Sequence, residues 1–113
     1  MYTLDRTIMA LFDITREHED MPATALTIKL SEEVGEFSEV MLHEMGYLRH
    51  KDKVWKDTPI SEAADIINVL IGTLSVHYPD TPTSELFDQL RSALIVKGKK
   101  YAKLIGVDGD LST

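Results

Sequence analysis

The sequence predicts an all-α protein, a four-helix bundle-like single domain spanning residues 1–113. Three observations carry that prediction. Apolar residues recur at three- and four-residue spacing in four successive stretches. All four prolines, Pro22, Pro59, Pro79 and Pro82, fall between those stretches. β-branched runs alternating with polar residues are absent, and Asp108-Gly109 lies beyond the last stretch, where it can pair no strands.

The first helix is expected over Leu4 to His18, with Thr3 as its cap and Leu4, Ile8, Leu11 and Phe12 on one face. Glu17 to Pro22 is an acidic break. The second helix starts near Pro22, a good first-turn residue, and runs to Tyr47 or Leu48 on a stripe of Leu26, Leu30, Val34, Phe37 and Met41. Arg49 to Asp57 reads as a polar loop, and Thr58-Pro59 supplies a cap and a first helical residue. The third helix, Ile60 to about Val76, is apolar on most sides and therefore belongs at the centre of a bundle. After a turn at Tyr78 to Pro82, a cap at Thr81, Thr83 or Ser84 opens a fourth helix. Its stripe is Phe87, Leu90, Leu94 and Tyr101, it ends before Gly106, and the tail beyond is expected to be loose.

Composition narrows the function. The formal net charge of −7 disfavours a general nucleic-acid binder, which needs a basic face. Cysteine is absent, so there is no disulfide framework, thiolate metal site or cysteine nucleophile. No uninterrupted apolar run suggests a membrane span, and the N-terminus lacks the shape of a signal peptide, so a cytoplasmic setting is expected. The glycines form no phosphate-binding loop; Gly35, Gly46, Gly72 and Gly98 stand isolated in helical stretches. The histidines form no Glu-x-x-His pattern, which argues against a di-iron bundle.

Acids intrude where core is expected. Glu33 sits at the edge of the second helix's stripe, three residues after Leu30 and four before Phe37, with Glu36 one turn on. Glu62 and Asp65 open the most apolar segment of the chain, on the same side as Ile66, Val69 and Val76. A carboxylate facing a core is costly unless it is neutralised, hydrogen-bonded or bound to a cation. Helical residues three apart have Cβ atoms about 5–6 Å apart, so each pair can offer two oxygens to one ion. Facing pairs would form a cage for Mg²⁺, with Mn²⁺ as its substitute; Mg²⁺ prefers hard oxygen ligands and usually keeps water and phosphate in its shell. Spacing alone does not select these acids, because Glu17/Asp20, Glu36/Glu39 and Glu85/Asp88 share it. Glu17/Asp20 lie in a break, and Glu85/Asp88 suit the dipole of a first helical turn. The competing reading of Glu32, Glu33 and Glu36 is a solvated helix edge, with Lys29 pairing to Glu33.

Glu32-Glu33-x-x-Glu36, followed about two dozen residues later by Glu62-x-x-Asp65 on an apolar helix, resembles the MazG-like all-α nucleoside triphosphate pyrophosphohydrolases. The likeness covers roughly Leu26 to Leu74, with a looser echo in the last helix. It implies a MazG-type fold completed by oligomerisation, and cleavage of a nucleoside triphosphate between the α and β phosphates. It also implies metal ligands at Glu33, Glu36, Glu62 and Asp65, with Glu32 orienting or deprotonating the water. Lys100-Tyr101 with Lys103 is similar to a phosphate-binding element of the family, although Gly98 stands where an asparagine is common. Lys29 and Glu62-Ala63-Ala64-Asp65 also resemble the phosphoribosyl-ATP pyrophosphohydrolases of histidine synthesis.

Other residues carry two readings each. Lys97 reaches a phosphate, or lays its stem over the core. Trp55 stacks on a base, or anchors the basic loop 49–56. Asn68 hydrogen-bonds substrate or a ligand carboxylate, or satisfies a neighbouring helix. The apolar third helix cannot be covered by three neighbours, and Ile28, Val40, Leu42 and Met45 add an apolar surplus on the second, so a homodimer or higher homo-oligomer is expected. The alternative of another class is a non-catalytic helical interaction module.

Overall fold

A computed structural model describes residues 3–47 and 57–107, and every regular element among them is helical. The elements are α1 (Leu4–His18), α2 (Ala23–Glu44), α3 (Pro59–His77) and α4 (Thr83–Leu104). Local chemistry sets their ends. Thr3 Oγ1 accepts the Arg6 backbone N–H at 3.2 Å and caps α1. Thr58 and Ser61 cap α3 reciprocally, at 3.1 Å from Ser61 N to Thr58 Oγ1 and 2.9 Å from Thr58 N to Ser61 Oγ, with Pro59 opening the helix.

Helix ends also supply the differences from expectation. α2 stops three residues before Tyr47 because Gly46 adopts φ +85°. Gly46 N donates to His43 O at 3.0 Å and Tyr47 N to Leu42 O at 2.9 Å, the paired bonds of a glycine-terminated helix. Gly106, at φ +76°, ends α4 the same way, with Val107 N donating to Ala102 O at 2.8 Å. Pro22 is the N-cap of α2 rather than its first helical residue, and Pro82, not a threonine or serine, caps α4. The Thr83 hydroxyl instead donates to Asp13 Oδ1 at 2.6 Å, joining α4 to α1.

Phe12, Ile71 and Leu86 form the buried core between α1, α3 and α4, with Ile8, Leu11, Leu74 and Leu90 packed around it. Thr15 Oγ1 and Ser75 Oγ lie 2.9 Å apart across the α1–α3 seam, so the buried Ser75 hydroxyl is satisfied. The Arg16 guanidinium donates to Tyr78 O at 3.4 Å, where α3 ends. α3 is central, as its composition requires: it packs against all three other helices, and most extensively against α2. α2 touches neither α1 nor α4.

Three apolar stripes are shorter than the sequence suggests. On α2, Leu26 and Val40 are buried while Val34 is exposed, so the packed face is turned toward Glu33. On α4, Phe87 and Leu90 pack, but Leu94 and Tyr101 lie exposed. Leu4 at the start of α1 is exposed as well. α3 also departs from the expectation that no membrane-length segment exists. By length and composition alone its 19 residues are apolar enough to cross a bilayer, although Glu62 and Asp65 interrupt the first turns.

Candidate metal centre

The extensive packing of α2 on α3 brings together the acids that both helices carry. Glu33 comes from the middle of α2; Glu62 and Asp65 come from the first two turns of α3. One oxygen from each lies within 4.8 Å of the others. The Thr58–Ser61 cap fixes the start of α3 and thereby the position of Glu62, one residue beyond the cap box.

Burial is graded across the group. Glu62 is only 3 % exposed, Glu33 is half-buried, and Asp65 is exposed. The Asp65 exposure corrects the expectation that α3 has little solvent-facing surface at this position. Glu33 Oε2 and Glu62 Oε2 are both buried without a hydrogen-bond partner. An ionised carboxylate oxygen can only accept, so each of these needs a proton of its own or a cation.

The carboxyls respond electrostatically. Burial is the main cause holding Glu62 above the ordinary carboxylate range, reinforced by Asp57, Glu36, Asp65 and Glu33. Burial likewise raises Glu33, followed by the charges of Glu36 and Asp65; Lys29 opposes the rise, and a hydrogen bond with the Glu36 side chain adds to it. Asp57 is the residue that sequence reasoning placed in a loop and left out of the acidic group. Its signal was its position just before the Thr58 cap, within about one and a half turns of Glu62.

The remaining sequence-predicted residues divide by location. Glu36 is exposed at the rim and acts on Glu33 and Glu62 through charge, but it is not one of the three carboxylates that converge. Glu32 is exposed on α2 outside that group. Lys29 is close enough to lower Glu33. Asn68 is exposed on α3, one turn beyond Asp65. Lys97, Lys100 and Tyr101 are exposed on α4, which does not touch α2, so the protomer does not bring them to the acids through that helix pair. Trp55 and the basic loop 49–56 lie outside the described residues.

The donor set is all carboxylate oxygen, which suits hard divalent cations and excludes sites needing soft sulfur ligands. Two orphaned buried oxygens, one from each helix, fit such an ion. No family model, curated protein or solved structure matches the chain.

Proposed function

We propose that the protein is a Mg²⁺-dependent nucleoside triphosphate pyrophosphohydrolase of MazG-like type, acting as a homo-oligomer and releasing a nucleoside monophosphate and pyrophosphate. The observation that carries this reading is the convergence of Glu33, Glu62 and Asp65 from two helices with two buried, unpartnered oxygens among them. When bound, a divalent cation polarises phosphoryl oxygens and makes water a stronger nucleophile. Glu33, Glu62 and Asp65 hold that cation, and Glu36 adds negative charge at the rim. Water adds across the α–β anhydride, the bridging bond breaks, and one proton must be accepted. Glu32, exposed and next to Glu33 in sequence, is the base. Lys29 contacts phosphates beside the cluster, Asn68 and Trp55 contact the nucleoside, and Lys97, Lys100 and Tyr101, which lie on a helix that does not pack against α2 in the protomer, reach the substrate from a second subunit. An open, partly solvated site fits this chemistry better than a structural metal site, which would close its ligand shell.

Incubation with a panel of nucleoside triphosphates and phosphoribosyl-ATP, with Mg²⁺, tests the reading through product identity. Pyrophosphate with a nucleoside monophosphate is the expected result. Turnover confined to phosphoribosyl-ATP transfers the protein to the histidine-pathway branch. Orthophosphate with diphosphate, or no product from any substrate, contradicts the proposal and leaves a helical interaction module.

A further inference from the structure

We infer that Asp57 completes the cation site as an outer-sphere carboxylate, accepting a hydrogen bond from a water of the bound ion while Glu33, Glu62 and Asp65 hold the ion itself. The inference rests on the cation site of the preceding reading and gives a role to a residue outside both acidic motifs. It is tested by ion binding, independently of turnover.

The start of α3 sets Asp57 beside Glu62. Thr58 is the N-cap, so Pro59 is the first helical residue, Glu62 the fourth, and Asp57 the residue just before the cap. The Thr58–Ser61 box is closed, and Glu62 N donates to Thr58 O at 3.0 Å, so the backbone at both positions is fixed. In helices that begin this way, the residue before the cap often packs on the fourth helical residue, and both are apolar. Here the two staple positions hold acids. Among the charges acting on Glu62, that of Asp57 weighs most, ahead of Glu36, Asp65 and Glu33, and all four are negative. Two carboxylates placed together, one of them 3 % exposed, are stable only with a proton or a cation to offset them.

The buried member of the pair gives an independent sign. Glu62 Oε2 is buried without a hydrogen-bond partner, and among the described residues no cation forms an ion pair with Glu62 or Asp57. Asp57 itself is exposed and is not one of the three acids whose oxygens gather within 4.8 Å. That difference separates the roles. The three converging oxygens hold an ion directly, and a carboxylate beyond them reaches it through water. A hard cation such as Mg²⁺ suits this division, because it usually keeps several waters. An acid before a helix has a competing use, since negative charge there suits the helix dipole. The dipole asks only for charge. Holding a water asks for an acceptor oxygen in a fixed place, and the two uses respond differently to substitution.

The test is titration of the metal-free full chain with Mn²⁺ at neutral pH and high salt, where charge acting at a distance is screened. The free-ion electron paramagnetic resonance signal reports binding. Loss of a group that supports metal ligands commonly weakens binding by about 10–100-fold, and Asp57→Ala should fall in that range. Its helical circular dichroism should be unchanged, because Asp57 is exposed and precedes the helix. Asp57→Asn keeps an acceptor oxygen and should recover part of the affinity, while Glu85→Ala should bind as the wild type does. Wild-type affinity in Asp57→Ala, or equal losses in the Ala and Asn variants, would overturn the inference and leave the three-carboxylate site intact. No binding by the wild-type chain defeats that site and the inference with it. Mn²⁺ binding that depends on Asp57 in a protein releasing no pyrophosphate upholds the inference and defeats only the enzymatic reading.

Discussion

At the scale of single residues, Glu62 dominates because a carboxyl 3 % exposed among other acids is costly to ionise. Its folded pKa and that of Glu33 lie above the ordinary 4.5. The protonated forms therefore stabilise the fold at pH below 4.5, and that stabilisation is lost as pH rises through the raised folded values. Metal-free protein should consequently show a falling melting temperature as pH rises above 4.5, followed by a plateau. Glu62→Gln should flatten that slope and raise the melting temperature at neutral pH, as thermal unfolding in EDTA can measure. An unchanged slope would show that Glu62 ionises in the folded protein as it does in the unfolded chain, which contradicts its raised pKa.

The same substitution should remove turnover. Loss of groups that merely support metal ligands commonly costs 10–100-fold, so replacing Glu62 or Asp65 with Ala should cost more than about 100-fold in kcat/KM. Glu17→Ala and Glu85→Ala change exposed acids outside the cluster and should leave both activity and stability nearly unchanged, within about 0.5 kcal/mol. Full activity in Asp65→Ala would contradict its place among the ligands.

At the scale of elements, the site depends on how α3 begins. Thr58→Ala removes one half of the cap box and should cost about 1 kcal/mol in denaturant unfolding. Gly46→Ala forces a side chain into φ +85° and should cost about 1–2 kcal/mol, although no neighbour crowds the position. Helix periodicity and capping residues made α1 and α3 readable to within a residue or so. The end of α2 was harder, because a lone glycine inside an apolar pattern reads equally as helix interior or as a left-handed stop. Glu33 and Glu62 were legible as acids in apolar stripes. Asp65 exposure was not, because periodicity places a residue on a face but does not say whether a neighbour covers that face. Asp57 was missed because its part comes from packing of the loop end beside α3, which spacing along one helix does not report.

At the scale of the whole molecule, four helices leave α3 incompletely covered: Ile60, Ile67 and Leu70 remain exposed. Charge is segregated along the chain, with five acids and one lysine from Lys29 to Glu44 and five cations and no acid from Gln89 to Val107. A cation bound only by the folded protein should stabilise it by mass action, raising the melting temperature with Mg²⁺ or Mn²⁺ concentration. The central claim is that Glu33, Glu62 and Asp65 form a divalent-cation site. Its most direct test is titration of the metal-free protein with Mn²⁺ at neutral pH, following the free-ion electron paramagnetic resonance signal in wild type and Glu62→Gln. Saturable removal of the free signal by wild type, lost in Glu62→Gln, is the predicted result; no binding by wild type, or equal binding by both, would contradict it.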